Sequence, residues 1–374
     1  MTSISSLADY SIAGHSVLYR NPRPHVRSFQ AYFPSVVVIG DRHLGASVVL
    51  GEAFEAPNLH VGYFESRDGG VHWERKSMVT EPAADLRSSS MGRLTLLSDG
   101  SLVVMVTRHE RQPFDEGITD GKTVGMMPMR IEMYRSRDQG RSWAGPDIVD
   151  PPLHETSFEM CSGFTVLDDG TLLWPTSTWP VSGQAVTPDK FRTGAFLSKD
   201  NGKTWPRWVE AFPNDNYIYW ESKILVLPDR RLLGVAWVHD LVAGRDLPNH
   251  FVIGNPDGSS WSTPQSMEIL GQTLSSLVLP DGQILSVYRR VDEPGLWATV
   301  SQIEGERWVN SGNLLLWQGD GGASNDPSKI RQHFATLKFG APSIVRLNDG
   351  QILVAFWCVI DGVSQISTIT LSKN

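Results

Sequence analysis

Short apolar runs, each followed by a tight polar turn and a second apolar run, recur along the whole chain. The turns carry Asp-Gly or a close variant, and Asp-Gly between two apolar runs is a strong signal for a β-hairpin. Six such strands and turns can be recognised: Ser35–Ile39 with Gly40-Asp41, Leu94–Leu97 with Asp99-Gly100, Phe164–Leu167 with Asp169-Gly170, Ile224–Leu227 with Asp229-Arg230, Ser275–Leu279 with Asp281-Gly282, and Ser343–Leu347 with Asp349-Gly350. The pattern predicts six hairpin-based units.

A second repeat, Ser-x-Asp-x-Gly-x-x-Trp, alternates with the hairpins, and we call these turns the boxes. Three boxes are complete, at 66–73, 136–143 and 198–205. A fourth copy, 255–261, is one residue shorter, and a fifth, 301–308, has Ile303 in place of the aspartate. The aspartate can accept hydrogen bonds from turn amides, the glycine can adopt a positive φ, and the tryptophan can bury a large ring. We interpret the boxes as stabilising elements without chemistry of their own.

Together the two repeats divide the chain into units of a hairpin, a polar loop, a third strand, a box and a fourth strand. Repeats with a period of roughly 50–70 residues indicate a repeat architecture. We predict an all-β fold, a six-bladed β-propeller of four-stranded antiparallel blades that spans residues 1–374 as one domain. The last unit lacks a box, and the segment around Ser16–Tyr19 is expected to supply the strand that closes the ring.

Composition narrows the range of partners and compartments. The formal net charge is −8 and no basic run is present, which argues against nucleic acid or an anionic membrane as partner. No apolar stretch approaches the roughly 18–20 residues of a membrane span. Cys161 and Cys358 cannot form a disulfide framework or a metal cluster alone, and the polar segment Met1–Tyr10 is no signal peptide. We expect a cytoplasmic protein that uses no metal or other cofactor, and the oligomeric state stays open.

The order of strands in a meander decides which loops reach the central channel. The turns between first and second strands and between third and fourth strands lie on one face, so the hairpin turns and the boxes share that face. The second-to-third and blade-to-blade connections lie on the other face. We expect the ligand site there, because propellers bind ligands where loops converge on the channel.

One carboxylate is singled out by the repeat itself. Counting back eight positions from each hairpin aspartate gives one residue per blade: Phe33, Met91, Cys161, Glu221, Thr273 and Ala341. Glu221 is the ionisable carboxylate of this ring, and its neighbours Tyr219 and Trp220 are aromatic. We expect Glu221 to act as an acid, base or activator, and the alternative is an ion pair with Lys223 or an arginine.

Other polar residues on the same face are further candidates. Glu55, with Glu52, and Asp240 are carboxylates of the kind that glycosidases use in pairs, and His109 and His239 can exchange protons near neutral pH. Arginine binds carboxylates in bidentate geometry, so an anion is expected at Arg108, Arg245, Arg289 or Arg290, although one of the adjacent pair is expected to bond loop carbonyls instead. Glu159 and Arg87 are candidates because they begin inner strands, and Asp292 lies beside the arginines. Trp179 is expected either to stack on a sugar ring or to pack in the hydrophobic core.

The boxes and their spacing resemble those of the sialidase (neuraminidase) superfamily, and the resemblance covers essentially the whole chain. It implies a six-bladed propeller with an active site opposite the boxes. That superfamily places a glutamate at the start of the fourth blade, followed by a strand and a hairpin. The segment Tyr219–Lys223, followed by Ile224–Leu227 and Asp229-Arg230, is similar to that element. The resemblance therefore implies that Glu221 activates a nucleophile.

The chain departs from the sialidase pattern at two places. Sialidases open with an Arg-Ile-Pro element whose arginine binds the sialic acid carboxylate, and Tyr32 stands at that position here, where we expect it to contact the substrate. The nucleophilic tyrosine at the start of the sixth blade is missing near Gly340-Ala341-Pro342. The arginine triad is partial, with Arg245 and Arg289 or Arg290 as its members. We therefore expect a sialidase-like fold without the sialidase mechanism.

Three functions are compatible with these residues. The first is a glycoside hydrolase that releases a terminal, possibly acidic sugar from a small glycoside, with Glu221 and one of Glu55, Glu52 or Asp240 as carboxyl partners. The second is elimination across a uronate, with His109 or His239 as the base and an arginine that neutralises the uronate. The third is a sugar-binding propeller without catalysis. A purely structural propeller is disfavoured by the many ionisable residues in the loops.

Overall fold

The computed structural model describes residues 9–82, 88–111, 116–120, 125–213, 215–290, 292–318 and 335–374. Within these ranges the chain is almost entirely β-structure, with one short 3₁₀ helix at Pro188–Lys190. No helix in the described ranges is long and apolar enough to cross a membrane. The all-β prediction is confirmed.

The described strands form six antiparallel sheets that follow one another along the chain as blades. The N-terminal strand is β1 (Tyr10–Tyr19). Blade 1 contains β2 (Gln30–Gly40), β3 (His43–Gly51), β4 (His60–Ser66) and β5 (Glu74–Met78), and blade 2 contains β6 (Ser88–Leu96), β7 (Leu102–Glu110), β8 (Met129–Ser136) and β9 (Ala144–Val149). Blade 3 contains β10 (Ser157–Phe158), β11 (Thr165–Val166), β12 (Leu172–Trp179), β13 (Thr193–Ser198) and β14 (Arg207–Glu210).

The remaining blades keep the same order. Blade 4 contains β15 (Tyr217–Val226), β16 (Leu232–Asp240), β17 (Arg245–Gly254) and β18 (Gln265–Ser266), and blade 5 contains β19 (Gln272–Val278), β20 (Ile284–Arg290), β21 (Gly295–Glu304) and β22 (Arg307–Trp317). Blade 6 contains β23 (Phe339–Arg346), β24 (Ile352–Ile360) and β25 (Val363–Lys373). The predicted six-bladed propeller of four-stranded blades is confirmed; blade 3 differs only in that its inner strand is split into β10 and β11.

Strand β1 closes the ring as predicted. It pairs antiparallel with β25, from Tyr10 opposite Lys373 to Tyr19 opposite Ile366, and so becomes the outer strand of blade 6. The two ends of the chain are thereby held in one sheet. Closure of the ring removes the open edge that the last blade would otherwise expose.

The complete boxes have the geometry that their residues suggest. In the first, Asp68 Oδ1 accepts hydrogen bonds from the amides of Val71 and His72 at 3.1 and 2.9 Å. The hydroxyl of Ser66 accepts one from Gly70 N, and Trp73 Nε1 donates to the carbonyl of Gly70. Asp138 and Asp200 accept turn amides in the same way. The tryptophan also bonds within the turn in the first and third boxes, whereas Trp143 of the second box donates to Ser77 Oγ of blade 1.

The two weaker copies differ from each other. In the shorter copy, Trp261 Nε1 still donates to Gly258 O, and Asn255 Oδ1 accepts the amide of Ser260. The fifth copy is no box at all, because β21 and β22 pair directly through Glu304 and Arg307 around Gly305, whose φ is 65°. Without an aspartate to collect the turn amides, the chain makes a tight hairpin there.

Apolar cores lie between neighbouring blades rather than inside one. Leu285 and Val287 of blade 5 pack with Val354 and Phe356 of blade 6, and corresponding clusters join the other neighbours. Each blade is therefore a two-faced sheet, buried on both sides, which explains the continuous apolar runs of the second strands. The rigid ring fixes the inner strands around the channel.

The ring of residues found by counting back from the hairpins has an unusual backbone. Four of its six members have positive φ although none is glycine: Phe33 (50°), Glu221 (51°), Thr273 (53°) and Ala341 (46°). In each case the register of the inner strand slips at that point. In blade 4, residues 221 and 222 lie opposite the single residue Ala236, since Trp220 pairs with Trp237 and Lys223 with Val235. A bulge of this kind re-aims a side chain.

Candidate active site

A cavity of about 550 Å³ runs along the propeller axis. Its wall consists of the inner strands of all six blades, and its mouth is formed by second-to-third-strand loops with Phe54, Ile118 and Met126. No residue of the boxes lines it. The loops that line it belong to the face away from the boxes, where the order of strands predicts the ligand site.

The inner strands line the cavity in layers. The first layer is the bulged ring of Phe33, Met91, Cys161, Glu221, Thr273 and Ala341. Two residues further along each strand comes the second layer, formed by Ser35, Arg93, Gly163, Lys223, Ser275 and Ser343. In blades 1, 4, 5 and 6 the bulge lies between the two layers, and it lets residues on both sides of it line the cavity.

Glu221 lies at the bulge of β15 and faces the cavity, with its side chain about half-buried. Its carboxylate makes no hydrogen bond or ion pair within the described part of the chain. Lys223, the suggested ion-pair partner, donates instead to the carbonyl oxygens of Cys161 and Glu221 at 2.8 and 3.3 Å. The positive φ at Glu221 therefore holds a carboxylate in the cavity without engaging it structurally.

Glu159 is the second carboxyl group at this position, and it is 7 % exposed. Its Oε2 accepts a hydrogen bond of 2.8 Å from the backbone N–H of Glu221, so the two residues are in direct contact. Burial and the neighbouring Glu221 carboxylate raise the pKa of Glu159 to about 8, although the Glu221 amide, the Trp179 indole and Lys223 oppose the rise. Glu159 is thus protonated at neutral pH, beside a carboxylate.

Three cationic side chains surround Glu221. Arg93, Lys223 and Arg289 all line the cavity, and the Glu221 carboxylate raises the pKa of each against the effect of burial. Burial nevertheless dominates, and it lowers the pKa of Arg289 to about 10. The electrostatic setting of the two glutamates differs accordingly: cations face Glu221, whereas Glu159 is enclosed. Pairs of titratable groups in such contrasting settings are typical of acid–base sites.

A buried chain of hydrogen bonds holds Arg289 in place. Its Nη2 donates to Gln272 Oε1 at 2.8 Å and its Nη1 to Phe339 O at 2.9 Å. Gln272 Nε2 in turn donates to Asp246 Oδ2, whose other oxygen lies 2.8 Å from His239 Nδ1. The four side chains that these hydrogen bonds connect are nearly inaccessible to solvent: Arg289, Gln272, Asp246 and His239. His239 therefore supports the wall of the cavity and does not line it.

Three tryptophans form the wall of the cavity at blades 3 and 4. The rings of Trp179 and Trp220 are parallel, with centroids 5.3 Å apart, and Trp237 meets Trp220 edge-on. His239 covers the other face of Trp220 at 5.3 Å. The Nε1 atoms of Trp220 and Trp237 are buried and have no hydrogen-bond partner among the described residues. These two tryptophans thus place buried indole N–H groups in the wall of the cavity.

Glu55 lines the mouth of the same cavity but is engaged by the opposite loop. Its Oε1 accepts hydrogen bonds from the amide and the hydroxyl of Thr119 at 3.2 and 3.0 Å. Burial raises the pKa of Glu55, although the bonds from Thr119 and the charge of Arg111 oppose the rise. A side chain on Gly117 would collide with the same carboxyl group. Glu55 therefore fastens the loop of blade 2 to that of blade 1.

Several predicted residues lie away from the cavity and have structural partners. Arg108 Nε donates to both oxygens of Glu132, and Arg290 binds Asp292 through Nε and Nη2. His109 is fully buried with Nδ1 3.1 Å from Met127 O, and burial lowers its pKa to about 4. Asp240 caps a turn by accepting the amides of Val242 and Ala243.

The remaining candidates are also outside the wall. Arg245 is exposed on β17, opposite Asp240, and Glu52 is exposed in the loop after β3. Tyr32 is buried in an aromatic cluster with Phe54 and Trp357, and burial raises the pKa of its hydroxyl to about 12. Arg87 lies outside the described residues. Of the predicted site residues, the structure brings Glu55, Glu159, Trp179, Glu221 and Arg289 together at the cavity.

Arg93 and Lys223 are the cavity cations that sequence reasoning did not assign to the site. The count that found Glu221 reaches both of them, six positions before the hairpin aspartates at 99 and 229. No repeat position in the sequence points to Asp246 and Gln272, because they hold Arg289 through a chain of hydrogen bonds that runs between blades. Within the described ranges, no group of three His, Cys, Asp or Glu side chains is arranged to hold a metal ion.

No protein-family model and no curated protein sequence matches this chain. Among solved structures, it is similar to a protein of unknown function from Dyadobacter fermentans (TM-score 0.71, 18 % identity, 98 % of this chain and 99 % of the other). It is also similar to an α-L-arabinanase from Penicillium chrysogenum complexed with arabinobiose (0.67, 14 %, 97 % and 98 %) and to a Hadza microbial sialidase (0.64, 17 %, 91 % and 65 %). The chain shares the propeller fold of sialidases and arabinanases at low sequence identity.

Proposed function

We propose that this protein is a glycoside hydrolase that releases a terminal sugar from a small glycoside, with Glu159 and Glu221 as its carboxyl pair. The observation that carries the proposal is their contact: a buried carboxyl group is hydrogen-bonded to the backbone of a residue whose own carboxyl group faces the cavity unpaired among the described residues. One acid and one carboxylate beside a sugar-sized cavity are the groups that glycoside hydrolysis requires.

In this proposal Glu159 is the general acid. Its proton passes to the glycosidic oxygen as the bond from that oxygen to the anomeric carbon breaks. Its raised pKa keeps that proton available at neutral pH. After the leaving group departs, the Glu159 carboxylate is free to take a proton from a water molecule and return to its starting state.

Glu221 is the group that meets the positive charge developing at the anomeric carbon. Because Glu159 Oε2 lies against the Glu221 amide, the two side chains start from adjacent points on one side of the channel. This favours the short carboxyl separation, about 5 Å, of enzymes that retain configuration. Glu221 would then form an ester with the anomeric carbon, and water would cleave it.

Elimination across a uronate has less support. The two histidines considered as its base are held elsewhere: His109 contacts Met127 and has a pKa near 4, and His239 lies behind Trp220 with Nδ1 on Asp246. Neither lines the cavity.

The arabinanase and the sialidase with this fold suggest which glycosides to test. Aryl α-L-arabinofuranosides, glucuronides and sialosides cover neutral furanose, acidic pyranose and sialic acid substrates. We expect weak or no turnover of sialosides, because Tyr32 is buried among aromatic rings where a sialidase presents an arginine. Turnover of an aryl sialoside at about 1 per second or above would contradict this expectation.

Trapping the covalent intermediate tests the proposal directly. A 2-fluoro glycoside of the sugar that is turned over slows the hydrolysis of the ester, so mass spectrometry should find one sugar attached to the peptide that contains Glu221. Glu221→Gln should remain unlabelled, and Glu55→Gln, changed at the mouth of the same cavity, should label normally. Turnover without labelling, but with inverted product, would replace retention by inversion. Binding without turnover of any glycoside in the panel would leave a sugar-binding propeller and overturn the proposal.

A further inference from the structure

The second layer of the channel carries positively charged side chains and no negatively charged ones. Its members are Ser35, Arg93, Gly163, Lys223, Ser275 and Ser343, so it contains two cations, three hydroxyl groups and no carboxylate. The layer lies about 6–7 Å below Glu221, since two residues along a strand span that distance. Cations so enclosed normally have an anionic partner, because an uncompensated charge away from bulk water is costly.

Arg93 has donors left over. Its Nη1 donates to the carbonyl oxygen of Phe33 at 2.9 Å, and its guanidinium lies 5.3 Å from the centre of the Phe33 ring. In the described part of the chain, Nε and Nη2 have no hydrogen-bond partner, and Arg93 forms no ion pair. The side chain is 6 % exposed, and it lines the cavity. A ring face and a carbonyl fix the guanidinium while two of its nitrogens stay available.

Lys223 approaches the same point from blade 4. Its ammonium group donates to the carbonyls of Cys161 and Glu221, which are neutral, and a third N–H remains. Lys223 keeps some accessible surface, and because the residue lines the cavity, that surface faces the channel. Cys161, whose carbonyl accepts the Lys223 bond, belongs to blade 3, and blade 3 stands between blade 2 with Arg93 and blade 4 with Lys223, so the two cations reach the channel from either side of that blade.

The other charged groups around the channel do not neutralise this layer. Asp246 is bonded to His239 and Gln272, Glu55 is bonded to Thr119 at the mouth, and Glu159 is protonated. Glu221 attracts both cations, but it is a single charge in the layer above and forms an ion pair with neither among the described residues. With Arg289, which Glu221 also attracts, three positive charges thus face one negative charge.

We propose that the second layer is an anion-binding site that takes one small monovalent anion, a halide ion or a carboxylate group, between Arg93 and Lys223. Ser275, whose hydroxyl has no partner among the described residues, is a third donor. The carboxylate can belong to a free anion such as acetate or to an acidic sugar that fills the cavity above. The site does not depend on the proposed hydrolysis, because its test is binding.

Thermal melting with added salts tests the site. Sodium bromide, sodium acetate and sodium glucuronate should each raise the melting temperature in a saturable way, because a ligand that binds only the folded state stabilises it. Arg93→Met and Lys223→Met should weaken the apparent affinity by roughly tenfold or more, the scale of a lost bond to a charged group. Arg135→Met is the matched control: Arg135 also bonds only neutral partners, Ser101 and Asn201, but at the box face.

Comparing the salts shows whether the site takes a free anion or the carboxylate of an acidic sugar. If glucuronate saturates at a concentration tenfold or more below that of acetate and bromide, and uncharged glucose has no effect, the anion is the carboxylate of a sugar. If all three anions act at similar concentrations, the site takes free anions. Equal responses of the wild type and both variants to every salt would overturn the proposal.

Crystals soaked in bromide give a second measurement that needs no variant. The anomalous signal should show a bromide within hydrogen-bond distance of Lys223 Nζ and of an Arg93 nitrogen. Should either variant fail to fold, this map decides, and a channel without bromide at the second layer would contradict the proposal.

Discussion

Glu159 and Glu221 are neighbouring glutamates that lie in different electrostatic surroundings. Glu159 is enclosed, where it accepts the Glu221 amide and a weak contact from the Cys161 thiol at 3.8 Å and lies beside the Trp179 indole, whereas Glu221 faces three cations. The raised pKa of Glu159 therefore keeps a neutral carboxyl group at pH 7 against the backbone of Glu221. Sequence reasoning found both positions but ranked only Glu221 as catalytic, because the neighbour that raises the pKa of Glu159 belongs to another blade.

The raised pKa of Glu159 has a consequence for folding stability. The folded-state pKa of about 8 lies above the ordinary value of 4.5, so the native state binds this proton more tightly than the unfolded chain does. The stability is complete below pH 4.5 and decreases as the pH rises toward 8. From pH 5 to 8 the wild type should lose up to about 1.4 kcal/mol per pH unit relative to Glu159→Gln, which has no proton to lose.

Chemical denaturation of both proteins at pH 5, 6.5 and 8 measures this difference. If the two unfolding free energies stay parallel over the range, Glu159 titrates normally and cannot be the proton donor at neutral pH. Because the other titratable groups are shared by the two proteins, their contributions cancel in the comparison.

At the scale of the element, the bulge in the inner strands is the device that presents the first layer. It recurs at the same repeat position in blades 1, 4, 5 and 6, with positive φ at four residues that are not glycine. Such a backbone costs about 1 kcal/mol for a residue with a side chain. Strained backbone conformations cluster at functional sites, and the recurrence of this one around the channel fits that rule.

Ala341 allows a clean test of that strain. Ala341→Gly removes a methyl group at φ 46°, so it should leave stability unchanged or raise it by up to about 1 kcal/mol. Ala46→Gly, the matched change in the regular strand β3, should lower stability by roughly 0.5–1 kcal/mol. Urea unfolding of the two variants gives the comparison, and an equal loss in both would mean that the positive φ at Ala341 is not strained.

The elements also show which part of the site a sequence can predict. The hairpin repeat numbers the channel positions, so Glu221 was located by counting. The same count would have found Arg93 and Lys223, had it been carried one layer deeper. Arg108 and Arg290, by contrast, were expected to bind an anion, but their partners Glu132 and Asp292 satisfy them. Which way a loop or strand-end side chain points depends on register and bulges, which the pattern of apolar residues does not contain.

At the scale of the whole molecule, the ring is closed by ten residues from the other end of the chain. The repeat predicted the number of blades, and the missing box of the last unit predicted that an N-terminal strand completes it. Strand β1 supplies the outer edge of blade 6, where β25 would otherwise be an unprotected edge. The channel layers need all six inner strands in place, so closure of the ring also shapes the site.

Removal of β1 should therefore affect the entire protein. A chain that starts at Arg20 should melt many degrees lower, well beyond the roughly 2 °C that 1 kcal/mol is worth in a large domain, and should associate through the exposed edge. A synthetic peptide of residues 10–19 added in excess should restore part of the loss. Calorimetry and light scattering measure both effects, and a truncated chain that melts like the full one would show that blade 6 closes without β1.

The most direct test of the central claim is to measure kcat and thermal melting on the same sample of Glu221→Gln. The carboxylate of Glu221 makes no hydrogen bond or ion pair among the described residues, so its neutralisation should lower the melting temperature only slightly, through the lost attraction to Arg93, Lys223 and Arg289. We predict that kcat falls by about 10²–10⁴-fold, the usual effect of losing a group that acts in the chemical step. A lower melting temperature with kcat intact would contradict it, since Glu221 would then be a structural residue and the cavity would owe its chemistry to another group.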